Sequence, residues 1–136
     1  MTIQAADDLK ALMQSTRRIA LVGLSNNPDR PSYRVAQYLI AAGYDVVPVN
    51  PGLREVLGRV CYPNLRAIEG PVDMVDVFRR SEEVAAITDD AIAIGAKSLW
   101  LQLGVIDEAS AERAAAAGLA VVMDRCIKID HYALLA

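Results

Sequence analysis

The chain has 136 residues, 54% of them hydrophobic and 23% charged, with a net charge of −3 at neutral pH. This length predicts one compact domain over 1–136 with a core of its own, and the dispersed Lys and Arg lack the basic stripe of a nucleic-acid binder. No run approaches the roughly 18 apolar residues that cross a bilayer, and two distant cysteines with a single histidine argue against a disulfide framework or a zinc centre.

Residues 4–15 set Leu9, Leu12 and Met13 at helical spacing, with Asp7 and Asp8 in the first turn, where the helix dipole favours acids. This predicts a leading helix over 1–16, packed on the edge of a sheet. Acids early and arginines late, as in "MTIQAADDLKALMQSTRR", are the reverse of a signal peptide, so a cytoplasmic location is expected. "RRIALVG" reads as the first strand. Ser32 is expected to cap the helix that follows, with Val35, Ala36, Leu39 and Ile40 as its buried stripe and Gly43 at its end. "YDVVPVN" is the second strand, and the turn-rich 51–71 offers at most short helical pieces.

"VDMVDVF" is the third strand, with Asp73 and Asp76 expected in salt links to neighbouring strands or facing solvent. Ser81 is expected to cap a helix through Ile94, aided by Glu82 and Glu83. "KSLWLQLG" is the fourth strand, placing Trp100 in the core or an interface. Asp107 caps the next helix, Gly118 stops it, "LAVVMD" is the fifth strand, and the tail forms a short last helix. The alternation predicts a doubly wound, Rossmann-like α/β fold: a five-stranded parallel sheet with helices on both faces.

Ligands of such sheets bind beyond the carboxyl ends of the strands, where this chain gathers its glycine and polar residues. After the first strand, "VGLSNNPDRPSY" offers Gly23 for close backbone approach, the Ser25 hydroxyl, the Arg30 guanidinium and a helix N-terminus at Ser32, the ingredients of a phosphate cradle. The same pieces serve equally as a capped loop with a solvated arginine. The loop lacks GxGxxG, Asn50 stands where an NAD site carries an acid, and GxxxxGK[ST] is absent. An NAD(P)-type site is therefore the disfavoured alternative.

In order and spacing, "VGLSNNPDRPSYRVAQYLIAAGYDVVPVNP", "YPNL", "VDMVDVFRRSE", "WLQLGV" and "GLAVVMDRCIKID" resemble the small bacterial CoA-binding domain proteins of the YccU-like type, from Ile19 to His131. At lower similarity the chain resembles the CoA-binding domain of the succinyl-CoA synthetase alpha subunit. The resemblance implies coenzyme A, or an acyl-CoA, as the bound small molecule. It further implies that Gly23, Leu24, Ser25, Arg30, Pro31 and Ser32 hold the phosphates. Asn50 and Pro51 would lie near the adenosine, Tyr62 and Pro63 on the adenine side, Phe78 and Arg79 beside the ligand, and Gln102 on the pantetheine path. Arg30, Arg54 and Arg79 are the cations offered to the 3′-phosphate.

No nucleophile, base and oxyanion set emerges, so a binding protein rather than an enzyme is expected. His131 reads as a surface or tail residue. Cys126 in "DRCIK" reads as an inert thiol, the alternative being a thiol-reactive, CoA-dependent enzyme. Asp124 and Arg125 are expected to pair locally and fix their loop. The chain is expected to act as a monomer or homodimer.

Overall fold

The computed structural model describes residues 2–136. Helix α1 (Ala6–Ser15) leads into β1 (Arg18–Val22), α2 (Pro31–Ala41) and β2 (Asp45–Val49). A hairpin of β3 (Glu55–Val56) and β4 (Arg59–Val60) follows, then a 3-10 turn at Leu65–Ala67. The chain continues through β5 (Met74–Val77), a second 3-10 turn at Ser81–Glu83, α3 (Val84–Ala93), β6 (Ser98–Leu101), α4 (Glu108–Ala116), β7 (Ala120–Val122) and α5 (Ile127–Leu135). Five parallel strands form the main sheet in the order β2-β1-β5-β6-β7. The order reverses between β1 and β5, so a crevice opens beyond their carboxyl ends.

The strands of the main sheet are mostly apolar because both faces are covered, and the faces separate by alternation. Ala20, Val22, Val75, Val77, Leu99, Leu101 and Val121 pack with Ala91 of α3 and with Ala111 and Ala114 of α4. Ile19, Leu21, Met74, Trp100 and Val122 pack with Leu9 and Met13 of α1, Val35 and Leu39 of α2, and Ile127 of α5. Each fully buried Leu or Val contributes about 1.5–3 kcal/mol, so these two layers supply the main drive to fold. Trp100 is completely buried in the second layer, and its indole N–H donates to the Arg125 carbonyl at 2.8 Å.

Several sequence expectations change. Ser32 does not cap α2: Arg30 is the N-cap, Pro31 takes the first helical position that suits its fixed φ, and Ser32 turns inward. Ser81 makes no cap bond either. Its hydroxyl accepts from the Ile106 amide at 2.9 Å and leans on the Gly104 carbonyl, tying the loop after β5 to the loop after β6. Asp107 is an N-cap by backbone position, but its carboxylate accepts from the Ser110 hydroxyl rather than from an amide.

The two aspartates beside and within β5, Asp73 and Asp76, part company. Asp73 accepts from the amides of Arg17 and Arg18 and faces Lys97 at 3.8 Å, as expected of a strand-end acid. Asp76 is neither salt-linked nor solvated. It is fully buried between Leu21 and Trp100 in the sheet register, and neither carboxyl oxygen has a hydrogen-bond partner among the described residues. Desolvation raises the pKa of this carboxyl well above the usual range, which favours the neutral acid. His131 does lie in the last helix, half-buried rather than free on the surface: its Nδ1 lies 2.8 Å from the Tyr38 hydroxyl, and the ring stands edge-on to Tyr38 and Tyr44. Burial lowers its pKa.

Candidate functional site

Where β1 ends, the chain turns through Gly23 at φ +87, and its amide still bonds the Val49 carbonyl of β2. The loop 24–30 then closes on itself. The Ser25 amide donates to the Ser32 hydroxyl, the Asn27 amide to the Ser25 hydroxyl, and the Asp29 amide to the Asn27 side chain. The loop is thus a preformed, internally bonded shape, and the Ser25 and Asn27 amides serve it rather than a ligand. The anion-receptive groups left are the start of α2, whose first amides have no carbonyl a turn back, and the exposed Arg30 beside it.

Three adjoining cavities occupy the strand ends. The smallest, about 320 Å³, is lined by Gly23, Ser25, Arg30, Pro31, Ser32 and Phe78. A second, about 420 Å³, runs from Gly23 between Pro51, Pro63 and Leu65 on one side and Glu82, Glu83, Ile87 and Asp90 on the other. The largest, about 920 Å³, is lined by Pro31 and Phe78 together with Val35, Arg80, Gln102, Leu103, Val105 and Cys126. Gly23 is common to the first two, Pro31 and Phe78 to the first and third, and Arg79 and Glu83 to the second and third. Each cavity thus adjoins the other two, and together they make one groove around Gly23, Phe78 and Arg79, with the helix start on one side.

Arg79 stands at that junction but is engaged. Its Nε and Nη2 donate to Glu83 Oε1 at 3.2 and 2.6 Å. The guanidinium lowers the Glu83 pKa through that hydrogen bond. The 420 Å³ arm carries acids, of which Asp90 is also bonded to Arg66 at 2.7 Å. Such a wall repels phosphate and suits donor groups, such as an exocyclic amine or ribose hydroxyls. The 920 Å³ arm is mainly apolar, with Gln102 at its floor; that side chain is 3% exposed, and its Oε1 accepts from the Ile127 amide at 3.3 Å.

The groove gathers Gly23, Ser25, Arg30, Pro31, Ser32, Pro51, Pro63, Phe78, Arg79 and Gln102 of the sequence candidates. Leu24 is fully buried, and only its carbonyl takes part, accepting from Asn50 Nδ2 at 3.1 Å. Asn50 also accepts from the Gly52 amide, so the missing acid has a local cause: a carboxylate there could not donate to Leu24. Tyr62 lies outside the groove. It bridges to Val49 and, with Arg18, Asp45 and Arg59, lines a separate hollow along β2. Arg54 lines none of the three cavities.

Sequence reasoning did not single out the α3 wall of Ala86, Ile87 and Asp90, nor Asn64 and Leu65 opposite it. These positions read as ordinary helix and turn, and only the docking of the Leu65–Ala67 turn on α3 brings them to the groove. Asp124 and Arg125 do fix their loop: Asp124 accepts from the Gly104 amide at 2.7 Å, and Arg125 holds Asp130 through two bonds. Among the described residues, no helix is long and apolar enough to cross a membrane.

The chain is 40% identical over 124 residues to the uncharacterized protein YneT of Bacillus subtilis, covering 91% of this chain and 92% of that one. A hypothetical protein from Pyrococcus horikoshii OT3 superposes with a TM-score of 0.95 at 36% identity, covering 100% of this chain and 97% of that one. The fold recurs in the dinucleotide-forming acetyl-coenzyme A synthetase 1 of Ca. Korarchaeum cryptofilum, with a TM-score of 0.73 at 24% identity, over 85% of this chain but 28% of that longer one. The profile described as CoA binding domain matches residues 17–132. This chain belongs to the CoA-binding domain family.

Proposed function

We propose that the protein binds coenzyme A, free or acylated, along this groove, and that it acts as a binding protein rather than an enzyme. The observation that carries the reading is the joining of three chemically different cavities at the strand ends. A donor-seeking arm, a cationic helix start and a mainly apolar arm adjoin one another, matching nucleoside, pyrophosphate and pantetheine. The adenosine occupies the arm between Pro63 and Ile87, the pyrophosphate lies against Gly23 and the start of α2, and pantetheine runs over Phe78 towards Gln102. The 3′-phosphate is met by Arg79 once it leaves Glu83, or by Arg30. The groove lining holds no histidine and no paired acid and base, which supports a role in binding and presentation.

Calorimetric titration of the reduced protein with coenzyme A, dephospho-coenzyme A and NAD tests this reading. Affinity is expected to fall in that order, because the 3′-phosphate adds a charge-assisted contact and NAD lacks both that phosphate and pantetheine. NAD binding as well as or better than coenzyme A overturns it.

A further inference from the structure

Cys126 and Cys61 differ sharply in setting. Cys61 is buried, its Sγ leans on the Asn50 carbonyl at 3.6 Å, and burial pushes its thiol pKa up. Cys126 is only half-buried and lines the 920 Å³ arm. It is also the N-cap residue of α5, a nine-residue helix, and its side chain makes no cap bond. The amides of Lys128 and Ile129, second and third in that helix, have no acceptor a turn earlier within it. The Cys126 side chain therefore stands beside amide donors that the helix leaves open.

A second feature of the same arm points to a ligand. Gln102 is 97% buried by its 3% exposure, and its Oε1 is spent on the amide of Ile127, the residue next to Cys126. None of the described residues accepts from its Nε2, and the residue lines the cavity. A buried amide donor beside an apolar channel calls for an acceptor supplied by what enters, and pantetheine carries two amide carbonyls along an otherwise apolar chain that ends in a thiol.

We propose that Cys126 is a thiol–disulfide exchange site for the sulfur end of the bound coenzyme, with Gln102 orienting the pantetheine. This rests on the coenzyme A reading above and adds a reaction to it. The Cys126 thiolate attacks the coenzyme sulfur of a coenzyme A disulfide. The old S–S bond breaks, a Cys126–coenzyme A disulfide forms, and the second thiol leaves as a thiolate that takes up the proton released by Cys126. The incoming disulfide is the oxidant, so no other redox partner is required. The protein thereby holds one coenzyme of the disulfide covalently, and a second thiol that attacks the Cys126 sulfur releases it as reduced coenzyme A and takes its place in the mixed disulfide.

The test uses the full reduced chain, incubated separately with coenzyme A disulfide and with glutathione disulfide, followed by intact mass and peptide mapping. One coenzyme A adduct on the Cys126 peptide is expected, forming about tenfold or more faster than the glutathione adduct because the groove holds the reacting sulfur in place. Adenosine 3′,5′-bisphosphate, which has no thiol, is expected to slow the coenzyme adduct but not the glutathione one, and Cys126→Ser to abolish both. Equal rates with the two disulfides, an adduct on Cys61, or no adduct on a protein that binds reduced coenzyme A by calorimetry overturns the inference and leaves the binding reading standing. Failure of reduced coenzyme A to bind removes both.

Discussion

Gly23 and Phe78 meet at the point where the strand order reverses: the Gly23 Cα presses against the Phe78 carbonyl, leaving no room for a side chain. A Cβ built on Gly23 would come within 2.7 Å of Arg79 Cδ and closer still to the Phe78 carbonyl oxygen. The residue also sits at φ +87, a region that L side chains disfavour. Gly23→Ala is expected to cost about 2 kcal/mol or more in urea unfolding and to weaken coenzyme A binding, since the β1 and β5 ends must separate. An unchanged unfolding midpoint would show that the two loops do not touch as described.

Arg79 cannot serve Glu83 and a phosphate at full strength together. Arg79→Ala is expected to weaken coenzyme A binding about tenfold or more, the worth of one charge-assisted contact. Glu83→Gln frees the guanidinium from its partner and is expected to tighten binding. Titration calorimetry at low and moderate salt checks both, and weaker binding by Glu83→Gln would mean that the pair holds the groove open.

Asp76 carries a stability penalty. Its pKa is raised in the fold, so on raising the pH the unfolded chain ionises first, near pH 4, while the folded carboxyl stays protonated. The unfolded state then binds fewer protons, and stability is lost as pH climbs from that point towards the folded pKa. Asp76→Val keeps a strand-forming side chain of similar size and is expected to stabilise the protein at pH 7 by about 1–3 kcal/mol. The gain should shrink at pH 3. A destabilised Asp76→Val would mean that the carboxyl has a partner in the core.

His131 works in the opposite sense. Its pKa is lowered by burial, so the neutral ring is the form that fits beside Tyr38. Below the ordinary value of about 6.5 the unfolded chain takes up the proton first. The contribution is therefore complete above that pH and drains away as pH falls through the folded pKa. Melting temperature followed from pH 8 to 5 is expected to drop more in the wild type than in His131→Asn, which keeps a hydrogen-bonding group without a titration. Parallel curves would contradict this.

Much of this could be read from residue order. Gly23, Pro31, Arg79 and Gln102 were legible as groove residues because glycine, proline and polar groups concentrate after apolar strands, and a parallel sheet places those ends together. The β3–β4 hairpin was hidden because its turn puts Leu57 at φ +53 ahead of Gly58 at φ +73, where an Asn-Gly pair would have announced it. Ser32 misled because an inward hydroxyl and a capping one look alike until Pro31 is seen to occupy the first helical position. Asp76 misled because alternation assigns it a face but not the depth of what covers that face. Cys126 read as inert, since its exposure depends on how the start of α5 meets the loop after β6.

Amide chemical shifts of the labelled protein during titration with coenzyme A test the central claim most directly. The groove predicts shifts at Gly23 to Tyr33, Phe78 to Glu83 and Gln102 to Val105, with Tyr62 and the start of β2 left in place. Shifts confined to the hollow beside Tyr62 and Arg59, or none at saturating coenzyme A, would contradict it.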